Sequence, residues 1–253
     1  MEQSDPVLPD QFGGSATATF EPIVQMRAHE YVADQLRRHI ALGLVGGGEA
    51  FPPERELARL FEVGRSTIQH AMRLLEADHL VESRRGRAGG TFVVGPPRDE
   101  QGLERLLSEL RLNKRQIEET LVYRGLVERA AAQLAAAEAD ERELEGIAAC
   151  CEGMRNATSE LEFHRQDTDF HLQIAHASHN RLLAEGVERS RLILNSAILA
   201  QPESDMWHER LHREHDAILA ALCAHDERRA VRAMDVHTKR AAHSVRAVIA
   251  ALR

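Results

Sequence analysis

One short run limits what this chain can fold into. Gly95-Pro96-Pro97 lacks two successive backbone donors and fixes two φ angles, so neither a helix nor a central strand can run through it. Whatever packs here packs on one side of residue 98 or on the other, and the two sides differ in charge. Residues 21–98 hold 11 Arg against 10 Asp plus Glu, whereas residues 99–253 hold 21 Lys plus Arg against 27 acids. Residues 1–20 add three acids in a setting rich in Gly, Ser, Thr and Pro, which reads as a mobile tail. We therefore expect a tail over 1–20, one domain over 21–95 and a second over 99–253.

At 43% hydrophobic and 4% aromatic, with Ala, Leu, Glu and Arg abundant, the composition favours helices over sheets. No stretch approaches the roughly 18 consecutive apolar residues of a membrane-crossing helix. The N-terminus lacks both the basic start and the apolar segment of a secretion signal, so a cytoplasmic location with no membrane partner is expected. Cys150, Cys151 and Cys223 are an odd number without C-x-x-C spacing, which argues against a disulfide framework or a thiolate zinc site.

Upstream of the break, Tyr31, Val32, Leu36 and Ile40 recur at helical spacing until Gly43 and the Gly46-Gly47-Gly48 run. Pro52 and Pro53 open a short second helix with Leu57, Ala58, Leu60 and Phe61 on its apolar side. After Val63-Gly64, a third helix begins at Ser66 or Thr67, with Ile68, Ala71, Met72, Leu74 and Leu75 facing inward. The runs Val81–Arg84 and Thr91–Val94 then flank a basic, glycine-rich loop as a two-stranded ribbon. From Ser83 to Arg98 there are four arginines and no acid. Helix, tight turn, helix and basic ribbon form a winged helix-turn-helix. Its third helix can enter a major groove while the arginine wing reaches phosphate or the minor groove. The glycine loop is a poor phosphate cradle, because a strand follows it and not a helix.

Phe51-Pro-Pro-Glu-Arg-Glu-Leu-Ala-Arg-Leu, Val63-Gly-Arg-Ser-Thr-Ile-Gln-His-Ala-Met-Arg-Leu-Leu and His79-Leu-Val-Glu together resemble the signature of GntR-type transcription regulators. The resemblance implies that Arg55, Arg65, Ser66, Thr67 and Gln69 touch operator DNA, with Arg85 and Gly86 in the wing. The family often has Arg at the place of Gln69 and Glu at that of His70, and Gly89-Gly90 make this wing glycine-rich. Gln prefers adenine edges where Arg prefers guanine, so a consensus operator does not follow.

Downstream, helical periodicity is nearly continuous, and helices are expected at 99–111, 114–138, 140–156, 159–178, 180–200, 204–224 and 227–251. The fold class is thus mainly α, a winged helix-turn-helix followed by an all-α bundle. Polar residues interrupt three of the apolar stripes. Asp167 and His171 lie one turn apart among Phe163, Phe170 and Ile174, His215 among Leu211, Ile218 and Leu222, and His237 among Ala230, Met234 and Ala241. Either these groups are satisfied by hydrogen bonds inside the bundle, or one divalent cation gathers all four. The bundle's other histidines are read as surface residues, with His212 a rival ligand.

Tyr123-Arg-Gly-Leu-Val-Glu-Arg-Ala-Ala, Asp167-x-x-Phe-His171, Ser178-x-Asn180, Glu214-His215-x-x-Ile218-x-x-Ala221 and Asp235-x-His237 resemble the FCD effector domain of the FadR-like branch. In metal-binding members the ligands fall at the positions of Asp167, His171, His215 and His237. The resemblance implies a metal, with Zn²⁺ as the first choice and Ni²⁺ or Mn²⁺ compatible with the same N₃O set. It also places Arg124 near the effector cavity, where a guanidinium suits a carboxylate; pairing with Glu128 on the helix surface is the alternative. The expected function is a ligand-responsive repressor that binds double-stranded operator DNA as a homodimer and responds to a small organic acid. A metal-dependent hydrolase and a plain metal-ion sensor are the competing readings. Four protein ligands and the lack of an evident general base weigh against the hydrolase.

Overall fold

The computed structural model describes residues 27–86, 89–95, 108, 110–199 and 204–251. The tail expected over 1–20, most of the helix expected at 99–111 and the Pro96-Pro97 break lie outside these residues. The N-terminal unit contains α1 (Ala28–Ala41), α2 (Glu54–Leu60), α3 (Arg65–Ala77), β1 (Val81–Arg84) and β2 (Gly90–Val93). The two strands pair antiparallel, with Val81 opposite Val93 and Arg84 opposite Gly90.

Val32, Ala33 and Leu36 of α1, Leu57 of α2, Ile68, Ala71, Met72 and Leu75 of α3 and Val81 and Val93 of the ribbon share one core. Tyr31 and Leu60, expected on apolar faces, are 52% and 59% exposed. The core-facing positions are taken by Val32, Ala33 and Leu36 of α1 and by Leu57 of α2. The third helix starts at Arg65 with Gly64 as its N-cap and no side-chain cap, one residue before the expected Ser66.

The glycines after α1 have separate reasons. Gly48 adopts φ +87°, while a Cβ on Gly46 would come within 2.4 Å of the Leu161 side chain and one on Gly47 within 2.3 Å of the Gly95 backbone. Close approach at Gly47 lets the chain over 48–51 run beside β2, with Phe51 N–H donating to the Thr91 carbonyl and Val93 N–H to the Glu49 carbonyl.

The C-terminal unit is a helical bundle of α4 (Lys114–Glu138), α5 (Glu141–Arg155), α6 (Glu160–Ala177), α7 (Arg181–Leu199), α8 (Asp205–Cys223) and α9 (Glu227–Ala251). Each lies within a residue or two of its expected span, and side-chain caps fix the starts of α5, α6 and α8. Asp140 and Glu143 form a capping box, and Ser159 and Ser204 accept from the amides of Glu162 and Trp207. Helix α4 packs against α6, α7 and α9, and α5 against α6 and α8. Ala132, Ala135, Phe170, Ile174, Ile218, Leu222 and Met234 belong to the main bundle core. The small residues on α4 let its neighbours approach closely, and the polar stripe residues then meet at one level.

Candidate metal centre and DNA-reading face

Asp167 and His171 of α6, His215 of α8 and His237 of α9 meet inside the bundle. All four are buried, and one ligand atom from each lies within 4.8 Å of every other. His215 Nε2 is 3.2 Å from Asp167 Oδ1, His171 Nε2 is 3.8 Å from the same oxygen, and His237 Nε2 is 3.2 Å from His171 Nε2. The rival His212 instead stacks edge-on against Phe163 and is not part of this group.

Two carboxylates that the sequence reading did not place in the site flank it. Glu214 Oε2 lies 3.1 Å from His237 Nδ1, and Glu128 Oε2 lies 3.0 Å from His171 Nδ1, though off the direction that would make a well-formed hydrogen bond. A carboxylate beside Nδ1 draws the ring proton to that nitrogen and leaves Nε2 with a bare lone pair. His171 and His237 then face each other with two acceptors, and the donor Arg124 Nη2 stands 3.5 Å from His171 Nε2. Neither ring nitrogen of buried His215 makes a well-formed hydrogen bond, although Nε2 stands 3.2 Å from Asp167 Oδ1. Such a group is costly in a protein interior, and a cation placed between the four side chains would remove the cost.

Protonation fits the same donor set. Burial pushes the His171 imidazole down to about 3 and also lowers His237, so both rings are neutral near pH 7. Burial works against ionisation of Asp167, yet the Arg191 guanidinium and the neighbouring imidazoles hold its carboxyl well below the usual range. One anion and three imidazoles form a donor set suited to a first-row divalent ion.

The centre opens on a cavity of about 30 Å³ whose lining includes Arg124, Arg191, Arg210 and Arg240 beside Trp207, Leu211 and Ile198. His164, expected at the surface, is buried and lines it too. Arg124 reaches this cavity but is also bound to Glu128, Nε to Oε1 at 2.7 Å. The Arg124–Glu128 pair, whose alternative reading put it on the helix surface, forms but is buried, 3% and 2% exposed. Arg191 Nη2 donates to Asp167 Oδ2 at 2.5 Å and to Thr168 Oγ1 at 2.8 Å. Glu128, Glu214 and Arg191 were hard to find in sequence, since an acid or arginine on a helix is an ordinary surface residue until its neighbours are known.

In the N-terminal unit, Arg55, Arg65, Ser66 and Gln69 are exposed and Thr67 is half-buried. Glu54 holds two of them, accepting from Gln69 Nε2 at 3.0 Å and lying 3.9 Å from Arg65 Nη2. Arg85 and Gly86 are exposed at the ribbon's end, where Gly86 has φ +113°. Arg84 is engaged with Glu82 and lies 4.4 Å above the Phe92 ring.

Residues 28–93 match the profile of bacterial regulatory proteins of the gntR family, and residues 119–240 match the FCD domain. Over 226 residues the chain is 30% identical to the Uxu operon transcriptional regulator of Escherichia coli K12, covering 83% of this chain and 84% of that protein. This chain belongs to the gntR family. It is a transcriptional regulator of the GntR type with an FCD domain, and such regulators bind operator DNA and are not enzymes. It is also 30% identical over 199 residues to the HTH-type transcriptional regulator LutR of Bacillus subtilis, covering 75% of this chain and 88% of that one. A putative HTH-type regulator, RmpR of Mycobacterium gastri, is 37% identical over 86 residues, a match spanning 34% of this chain and 31% of that protein. No described helix of this GntR-type chain is long and apolar enough to cross a membrane.

Proposed function

We propose that this regulator is a homodimeric repressor whose bundle binds one divalent cation through Asp167, His171, His215 and His237, together with a small organic acid. The observation that carries the reading is the buried Asp/His₃ group opening on an arginine-lined cavity. Zn²⁺ is the first choice for the ion, and Ni²⁺ and Mn²⁺ suit the same donors. When bound, the cation supplies positive charge and open coordination positions for a carboxylate oxygen. The residues do the rest. Glu128 and Glu214 orient two imidazoles, Arg191 holds the second oxygen of Asp167, and Arg124, pre-oriented by Glu128, faces the cavity as a carboxylate partner.

Operator contacts are assigned to Arg55, Arg65, Ser66, Thr67 and Gln69 on the helix-turn-helix and to Arg85 and Gly86 on the wing. One third helix reads a half-site, so tight binding calls for two copies on a near-palindrome. The test is elemental analysis of protein purified without chelators, followed by a mobility-shift assay with and without small carboxylates. About one equivalent of metal and an acid-dependent change in DNA affinity are expected. Metal-free protein would refute the centre, and a DNA response to the ion alone would favour a metal sensor.

A further inference from the structure

We propose that Arg191 is the residue through which an acid in the cavity reaches the DNA reader. A donor of its guanidinium takes a carboxylate oxygen, and α7, which carries it, passes the shift to α1. The inference rests on the metal-and-acid reading above. Arg191 is 1% exposed and lines the cavity, and its Nε and Nη1 have no hydrogen-bond partner. A buried guanidinium with two unused donors beside a cavity is arranged for an anion that supplies the missing acceptors. Each inward arginine stands by a carboxylate, Arg191 by Asp167 and Arg210 3.8 Å from Glu214, and Arg210 Nε also lacks a hydrogen-bond partner. Arg124 is held by Glu128 of its own helix, and Arg240 by Glu214, Nη1 to Oε1 at 2.8 Å.

What sets Arg191 apart is its helix. Glu188, Arg191 and Asn195 follow at three- and four-residue spacing along one stripe of α7. Asn195, 8% exposed, donates from Nδ2 to the carbonyl of Ala41, the last residue of α1, at 2.8 Å. Glu188 Oε1 lies 3.8 Å from Arg38 Nη1 of α1. Helix α6 seats the same unit through Arg165, whose Nη1 donates to Glu49 Oε1 at 2.9 Å, and through Leu161 against Gly46. The Asp167–Arg191 pair thus ties together the two helices on which the reader rests. Helix α1 in turn packs on α3. A carboxylate that competes with Asp167 for Arg191 loosens this tie and lets α7 shift against α6. The seat of α1 changes, and α3 moves with it. The acid must bind one seating more tightly than the other for this to alter DNA affinity.

The test uses full-length, zinc-loaded protein and a DNA duplex that it has itself selected from a random pool. L-lactate, succinate and citrate serve as probes with one, two and three carboxylates. Trp207, the only tryptophan in the chain, lines the cavity and reports binding by its emission, while anisotropy of labelled duplex reports DNA affinity. In the wild type, at least one acid is expected to change the emission and to shift DNA affinity at least fivefold. Arg191→Lys keeps the charge beside Asp167 but not the extra donors. It should retain zinc and its melting transition while binding the acid at least tenfold more weakly. Asn195→Ala should bind the acid as the wild type does, with the DNA response cut below twofold. Unchanged acid affinity in Arg191→Lys, or a full DNA response in Asn195→Ala, overturns the proposal. Should Arg191→Lys lose zinc, the Asn195→Ala arm decides alone. A wild type that holds zinc and DNA yet answers no acid refutes the effector reading itself, and this inference falls with it.

Discussion

Glu128 and Glu214 stand beside Nδ1 of His171 and His237, so they favour the tautomers on which the proposed cation binding depends. Replacing such an outer carboxylate usually lowers metal affinity by about 10- to 100-fold. Glu214→Gln keeps the shape but loses the charge, and its zinc affinity should fall within that range in competition with a chromophoric chelator. An unchanged affinity would show that the imidazoles are oriented by packing alone. His215→Ala removes a ligand outright, so it should abolish stoichiometric metal while leaving non-specific DNA affinity in place, read by elemental analysis and a mobility shift. The four inward residues were legible because a carboxylate or imidazole among Phe170, Ile218 and Met234 contradicts the stripe it sits on. Their partners were not. Arg124 and Glu128 stand one turn apart on a helix of low amphipathicity, and nothing in the spacing says that this face is covered by α6 and not by water.

Among the elements, α3 and the ribbon are the proposed readers of DNA, and on that proposal their exposed residues divide into base readers and phosphate binders. Arg65 at the first position of α3 and Gln69 one turn on share Glu54 as a partner, so both are held at the helix end that would enter the groove. Arg65→Ala should lower affinity for the selected operator by at least tenfold in a mobility-shift titration, with metal content unchanged. If metal content fell together with DNA binding, the two units would not divide the labour. Gln69→Arg tests base reading, since Gln pairs with adenine and Arg with guanine. Selection from a random pool should exchange an A for a G at one position of each half-site, whereas an unaltered consensus would place Gln69 off the bases. Helix limits were readable from periodicity and short polar breaks, and the structure shows why they hold at Asp140, Ser159 and Ser204, whose side chains take up the first free amides. The strand-like path over 48–51 was hidden, because it depends on Gly47 lying against Gly95, a contact that no local pattern encodes.

At the scale of the molecule, a core of helix and ribbon meets a larger helical core through a few polar contacts, Asn195 to the Ala41 carbonyl and Arg165 to Glu49 among them. A seam of that kind leaves no mark in composition, so the chain's charge asymmetry pointed to two units without saying how they touch. The buried site also fixes how the metal-free protein answers pH. In the unfolded chain an imidazole takes its proton near its ordinary value of 6.5, but in the folded protein His171 resists down to about 3 and His237 is lowered as well. Unfolded chains therefore bind more protons throughout that window, and stability falls as pH drops below about 6.5, by up to roughly 1.4 kcal/mol per pH unit for each such imidazole. Asp167, Glu128 and Glu214, all held below their ordinary values, act in the same direction from about pH 4.5 downwards. Asp169, raised by burial, and His179, raised by Glu143, act the other way, while His212, lowered by burial, adds to the loss. Calorimetry of stripped protein should accordingly give a melting temperature nearly level above pH 7 and several degrees lower for each unit below 6.5. Zinc-loaded protein should melt higher at pH 7.5, because an ion that binds only the folded state stabilises it, and the two curves should converge in acid as protons displace the ion. A melting temperature of stripped protein that holds level or rises between pH 6.5 and 4.5 would mean that these imidazoles take up protons in the folded state, and a cluster of charged rings could not then be the cation's seat.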